Sequence, residues 1–262
     1  MVTETHTIQL LQAEVDERDQ SFLRLLIDVQ TIKYITVEPG IYSADDLCFG
    51  PTLKTLLPEF PAGDWNNGVI DRDPKTSLPS FVRADRTMFP CVRNTWHEVF
   101  VDYMDITIGR RVRTGIYEIR SPMFHTPVIA KFARFAWEIQ YLEDETTAYQ
   151  WIDGHDIGPR FLGHLTEHGR VIGFLMEGIT NARHAGLQDL ARCQEILRRL
   201  HRLKVRHSDI NRFNFLVRDS KAVLIDFESA RRCDDTDELL REFDDLPNRL
   251  QDSSGSGGGG LL

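Results

Sequence analysis

Three side chains in the stretch Leu200–Glu228, which reads LHRLKVRHSDINRFNFLVRDSKAVLIDFE, are of types and spacing that could do chemistry together. Asp209 is a carboxylate that can take a proton or orient the hydroxyl that gives one up. Asn214 follows five residues later, and Asp226 twelve beyond that, at the end of an apolar run. Both offer oxygen ligands of the kind a hard cation such as magnesium takes. Far upstream, Lys131 closes the segment Val128-Ile129-Ala130-Lys131. A lysine at a strand end has the stem to span a cleft and the ammonium to neutralise phosphate.

This ordered set resembles the catalytic loop and metal-binding strand of the protein-kinase-like phosphotransferases, with the strand lysine that precedes them. The resemblance implies that Asp209 handles the acceptor's proton, that Asn214 and Asp226 hold magnesium, and that Lys131 meets the nucleotide phosphates. Lys131 then needs a glutamate from the following helix, for which Glu138, Glu143 and Glu145 are candidates. Glu145 is the choice, because Ala148, Tyr149 and Ile152 follow it at the spacing of a buried helix face. The expected catalytic residues are Asp209, Lys131 and Glu145, and the expected cofactor-binding residues are Lys131 and Glu177, the latter closing VIGFLME. His207 is expected to brace the loop by hydrogen bonds.

Two features depart from the protein-kinase pattern. The segment GRRVRTGIYE, where a GxGxxG phosphate loop belongs, has only Gly109 and Gly115, although Arg110, Arg111 and Arg113 add charge. Glu228 stands where protein kinases have the glycine after Asp-Phe, and the sequence ends before an activation segment. A peptide-phosphorylating kinase is therefore not expected.

The elements that must hold these residues can be read from pattern. VFVDYMDITI, GIYEIRS and PVIAKFARF read as strands, Ala136–Ile152 as a helix, and FLGHL and VIGFLME as two strands joined at Glu167-His168-Gly169. Leu187, Leu190, Leu197, Leu200 and Leu203 form a helical stripe that supports the following loop. The predicted fold class is α+β, a protein-kinase-like two-lobe fold with an N-terminal extension and a truncated C-lobe. Its expected segments are an extension packing on the core over 1–97, an N-lobe over 98–180, a reduced C-lobe with the catalytic loop over 181–245, and a disordered tail over 246–262. Within the extension, Ile8, Leu11, Val15, Phe22, Leu25, Leu26 and Val29 have helix-compatible spacing.

The chain of 262 residues carries a net charge of -9, which argues against a uniformly basic nucleic-acid surface and against DNA as a partner. A local basic run, Arg198, Arg199, Arg202, Lys204, Arg206 and Arg212, would suit a polyanion, with a solvated helix face as the plain alternative. Four widely spaced cysteines show no metal pattern, no apolar run reaches a membrane span, and the opening residues lack a secretory pattern. A cytoplasmic location with reduced thiols is expected. HLTEH lacks the glutamate that a zinc protease needs directly after its first histidine.

The wording of KFARFAWEI, TTAYQWIDGHDIGPRFLGHLTEHGRVIGFLMEGI, HSDINRFNFLVRD and LIDFE is similar to a set of short fungal kinase-like proteins. Some are related to the aminoglycoside phosphotransferases, and the group is taken to include the arginine-containing cyclodipeptide synthases. That resemblance implies aminoacyl transfer from arginyl-tRNA and a second aminoacyl-tRNA to give cyclo-Arg-Xaa in fungal secondary metabolism, with no cofactor. The residues alone imply instead an ATP- and magnesium-dependent small-molecule phosphotransferase of the aminoglycoside or choline-kinase type. A pseudokinase scaffold is the non-enzymatic reading. The family resemblance favours the first and the Lys131, Asp209, Asn214 and Asp226 set the second.

Overall fold

A computed structural model describes residues 6–219 and 221–252. The chain divides after Phe89 into two compact units. The first is built on a five-stranded sheet: β1 (Ile8–Glu14), β2 (Ser21–Ile27), β3 (Thr31–Val37), β4 (Asn67–Arg72) and β5 (Pro79–Asp85), in that spatial order. Two short helices, α1 (Ala44–Cys48) and α2 (Gly50–Leu56), lie between β3 and β4 in the chain. The helix expected within residues 5–29 is replaced by β1 and β2. Phe22–Ile27 is a nearly continuous apolar run, which suits a central strand covered on both faces. Val29 falls in the turn before β3, where it and Asp28 have positive φ angles of 56° and 53°. Leu23, Leu25, Ile35, Trp65 and Ile70 give this unit its own core.

The boundary lies earlier than the expected one at residue 97, because residues 92–96 are wired into the second unit. The Val92 main-chain N–H donates to Val171 O at 2.9 Å, and Trp96 Nε1 donates to Thr146 O at 3.1 Å.

The second unit begins with a six-stranded sheet: β6 (Phe100–Asp102), β7 (Thr107–Arg113), β8 (Ile116–Arg120), β9 (Val128–Phe132), β10 (Phe161–Glu167) and β11 (Arg170–Glu177). Its spatial order is β6-β10-β11-β9-β8-β7. The expected first strand is thus two strands, interrupted by a turn of 3₁₀ helix at Tyr103–Asp105 that the Asp102 side chain caps. Helix α3 (Ile139–Ile152) crosses from β9 to β10. His168 and Gly169 close the β10–β11 hairpin with φ angles of 49° and 78°, the left-handed pair that a tight two-residue turn needs.

The chain continues through β12 (Arg183–His184), α4 (Leu190–Arg202), β13 (Val205–Arg206), β14 (Phe215–Arg218), β15 (Lys221–Leu224), β16 (Arg231–Arg232) and α5 (Thr236–Gln251). Strands β12, β14 and β15 form one small sheet and β13 and β16 another. Helix α4 turns Cys193, Ile196, Leu197 and Leu200 into the core, each worth roughly 1.5–3 kcal/mol of burial for the larger side chains. Asp235 caps α5 by accepting from the N–H groups of Asp237 (2.8 Å) and Glu238 (3.2 Å). The helix continues through Gln251, so residues 246–251 are helical rather than part of a tail. The expectation of disorder at residues 253–262 lies outside the described residues. No described helix is long and apolar enough to cross a membrane.

Candidate active site

The site is assembled by three elements: β9 delivers Lys131, α3 delivers Glu145, and the segment from β13 to Glu228 delivers the rest. Lys131 Nζ lies 2.6 Å from Glu145 Oε2, 2.6 Å from Asp226 Oδ1 and 3.7 Å from Glu228 Oε2. Glu145 is buried, and its other oxygen accepts from the main-chain N–H of Phe227 at 3.2 Å. One glutamate therefore ties β9 to the backbone beside Asp226. Glu138 and Glu143, the other candidates, go elsewhere. Glu138 pairs with Arg134, and Glu143 accepts from the main-chain N–H groups of Arg93 and Asn94.

The charges hold one another in unusual states. Burial alone would lower the Lys131 pKa, but the carboxylates of Glu145 and Asp226 outweigh it and raise it. Burial raises Glu145, only partly offset by Lys131. Asp226 meets the same burial, but Lys131 wins and its carboxyl is held below its usual range. Glu228 is raised, chiefly by burial.

Asp209 sits on a loop fixed from several sides. Its Oδ2 and its carbonyl oxygen both accept from Asn214 Nδ2 at 2.9 Å, and its Oδ1 accepts from Asn211 Nδ2 at 2.9 Å. The main-chain N–H of Asp209 donates to His207 Nδ1 at 3.3 Å, which leaves the proton on Nε2 to donate to Ile225 O at 3.1 Å. Burial pushes the His207 pKa down, keeping it neutral for this bracing role. Ile225 in turn donates its N–H to Asn214 O at 3.0 Å, so the two halves of the Asp209–Asp226 stretch are stitched together.

Asn214 is buried, and its Oδ1 has no hydrogen-bond partner among the described residues, while its Nδ2 is fully used by Asp209. A buried bare oxygen is costly unless something is to bind it. With Asp226 next to the residue it stitches to, this oxygen fits a hard cation, and Glu145, Asp226 and Glu228 also bring carboxylate oxygens within 4.8 Å of one another. Asp226 itself has a φ of 64°, a left-handed conformation that Asp tolerates better than most residues.

The cleft beside Lys131 has a volume of about 1410 Å³. Arg113, Lys131, Glu145, Glu177 and Asp226 line it. Glu177 also meets Arg160 at 3.6 Å, and its N–H donates to Arg160 O at 2.9 Å. Asp209 lines a different, smaller pocket of about 360 Å³ with Arg206, Ser208, Arg241, Glu242, Asp245 and Arg249.

The six residues of the basic run do not converge on the cleft. Arg198 pairs with Glu195 at 2.9 Å, Arg199 donates to His155 O, and Lys204 meets Asp234 at 3.6 Å. Arg206 pairs with Glu238 at 2.8 Å, Arg212 lies against the Phe213 ring, and Arg202 is exposed. Three of the six pair with acids, and for Lys204 and Arg206 those acids are distant in sequence.

Two positions of the candidate site were hidden in the sequence. Glu228, which departs from the protein-kinase pattern, lies 3.7 Å from Lys131 Nζ. Glu242, on α5, is nearly fully buried and accepts from the N–H of His207 (3.2 Å) and of Ser208 (2.6 Å) while contacting His201 Nε2 at 2.7 Å. Burial opposes its charge, but those donors outweigh it and lower its pKa. Its signal was an acid on the stripe Leu239, Leu246 and Leu250, where a helix should be apolar.

Residues 177–253 match the model of the lipopolysaccharide kinase (Kdo/WaaP) family. The matched segment contains α4, Asp209, Asn214, Asp226, Glu228 and α5. No curated protein matches the chain. The fold is α+β, compatible with a kinase-like two-lobe arrangement, and the candidate site lies between Lys131 and the Asp209–Glu228 stretch. The match lends nothing to the expected fungal cyclodipeptide group.

Proposed function

We propose that residues 90–252 form an ATP- and magnesium-dependent phosphotransferase acting on a hydroxyl of a small or saccharide acceptor. The observation that carries this reading is Lys131 held at 2.6 Å by both Glu145 and Asp226, on the same stretch as the bare oxygen of Asn214. Such a lysine is positioned to meet phosphate, and Glu145 keeps it there. Asn214 and Asp226 would hold magnesium, with Glu228 as a further oxygen donor beside them. Bound magnesium would neutralise charge on the phosphate oxygens.

Asp209 takes the acceptor's proton, or orients its hydroxyl, at the Oδ atoms that Asn211 and Asn214 fix in place. Because Asp209 lines the smaller pocket, that pocket is where the acceptor enters. A saccharide acceptor is suggested by the name of the matched family, whose members are described as lipopolysaccharide kinases.

Aminoacyl transfer from arginyl-tRNA has less behind it. Its basic run does not converge on the cleft, three of its six residues pair with acids, and nothing in aminoacyl transfer calls for the Asn214 and Asp226 oxygens. A pseudokinase scaffold is disfavoured by the intact Lys131, Glu145 and Asp226 set.

The test is to incubate purified protein with ATP and magnesium against a panel of monosaccharides, aminoglycosides and choline, following ADP release and product mass. Acceptor-dependent ADP release, lost in Asp226→Ala, is the expected result. A cyclo-arginyl dipeptide formed from charged tRNAs without ATP, and no ADP release with any acceptor, would overturn it.

A further inference from the structure

The hairpin β7–β8 stands where a glycine-rich phosphate loop belongs, but its glycines are used for the hairpin itself. A Cβ at Gly109 would stand 2.9 Å from Glu118 O, so Gly109 lets the bulged strand close on its partner. Gly115 has a φ of 72°, and its carbonyl accepts from the N–H of Phe132 at 3.0 Å. The three arginines of the hairpin differ sharply in their surroundings. Arg110 is exposed and pairs with Glu118, and Arg111 is exposed and donates to Thr114 Oγ1 at 2.5 Å. Arg113 is half-buried and has no hydrogen-bond or ion-pair partner among the described residues.

The sheet register places Arg113 opposite Ile116 and Ile116 opposite Lys131. Residues directly opposite one another in adjacent strands project from the same face. Arg113 and Lys131 therefore share a face two strands apart, roughly 10 Å at the usual strand spacing. Arg113, Ile116 and Lys131 all line the large cleft. The positive field of Arg113 also reaches Asp226 and His184, which line the same cleft.

We infer that Arg113 is the phosphate-binding side chain of this cleft, taking by charge the place that backbone amides take in a glycine-rich loop. Arg113 and Lys131 form the two cationic ends of a clamp on the same sheet face, with Ile116 between them as its apolar floor. A half-buried guanidinium without a hydrogen-bond or ion-pair partner keeps its donors free, and a phosphate oxygen supplies the charge-assisted pair it lacks. The inference rests on the nucleotide reading of the cleft given above.

Its test is calorimetric binding of ATP, ADP and adenosine, each with magnesium, to wild type, Arg113→Ala, Arg113→Lys and Arg111→Ala. The expected result for Arg113→Ala is a loss of ATP affinity of roughly tenfold to a hundredfold, as for one charge-assisted contact. Adenosine affinity should be unchanged, Arg113→Lys should be intermediate, and Arg111→Ala should bind like wild type. Unchanged adenosine binding shows that the cleft is still folded. Wild-type affinity for ATP in Arg113→Ala would overturn this inference while leaving the nucleotide reading in place. Failure of the wild type to bind any of the three would overturn both.

Discussion

Asn214 Nδ2 donates to both the carbonyl oxygen and Oδ2 of Asp209, each at 2.9 Å. One amide thus fixes the conformation of the carboxylate proposed to handle the acceptor's proton and turns its own Oδ1 away from it. Replacing Asp209 by Asn keeps the size and removes the base. Asp209→Asn should lower kcat by roughly 10²–10⁴-fold, the usual worth of general acid–base catalysis, and leave ATP affinity unchanged. Asn214→Ala removes an oxygen donor and the Asp209 brace together, so it should weaken magnesium-dependent nucleotide binding as well. Steady-state ADP release and calorimetry separate the two. Equal ATP affinity in wild type and Asn214→Ala would remove Asn214 from the metal site.

Glu145 is buried and pairs at 2.6 Å with the largely covered Lys131, so losing one partner leaves the other without full compensation. Glu145→Gln should cost about 3 kcal/mol in urea unfolding, in line with broken buried pairs. Asp226 remains 2.6 Å from Lys131 and will hold part of the ammonium's charge. The double variant Glu145→Gln/Lys131→Met should therefore be less destabilised than the sum of the two single changes. Strict additivity in this cycle would mean that the pair does not couple.

Glu242 holds the loop that carries Asp209 and lines the smaller pocket rather than the cleft beside Lys131. Each of its oxygens takes one main-chain N–H, from His207 and from Ser208, and a glutamine offers only one such acceptor. Glu242→Gln should lower kcat by roughly tenfold or more, since small displacements of a catalytic group are costly, with the KM for ATP little changed. Amide hydrogen exchange at His207 and Ser208 should accelerate in the same variant. A kcat loss without faster exchange would assign Glu242 some other role.

The parts of this site that are local in sequence were legible there. Asp209, Asn214 and Asp226 are spaced by a loop and a hairpin, and Glu145 could be chosen over Glu138 and Glu143 because the buried face of α3 is periodic. Long-range pairing was not legible. That Arg206 would be met by Glu238, or that Glu242 would receive the catalytic-loop amides, depends on how α5 packs, and no local pattern encodes it. The first unit failed differently. Apolar residues at Ile8, Leu11, Val15 and Phe22 satisfy a helical period, yet Ile8 and Leu11 fall in the edge strand β1 and Phe22 opens the apolar run of the central strand β2, so the period did not decide. The boundary was displaced because the residues after Phe89 are joined to β11 and α3 by hydrogen bonds that composition does not reveal.

His164, on β10, gives the second unit a dependence on pH that is separate from the chemistry. The residue is fully buried, its Nε2 accepts from the main-chain N–H of His97 at 3.2 Å, and its Nδ1 has no partner among the described residues. Burial, helped by the nearby His97, pushes its pKa from 6.5 down to about 4. The unfolded chain then binds a proton near pH 6.5 that the folded protein refuses until about pH 4. The stability this contributes is complete above about pH 6.5 and is lost progressively as the pH falls towards 4. His207, also lowered by burial, acts in the same direction, and the lowered carboxylates of Asp226 and Glu242 add to the loss at more acid pH. The melting temperature should fall as the pH drops from 7 to 5, and His164→Phe should reduce that slope even if it lowers stability at pH 7. An identical slope in the variant would show that His164 is not a source of the acid sensitivity.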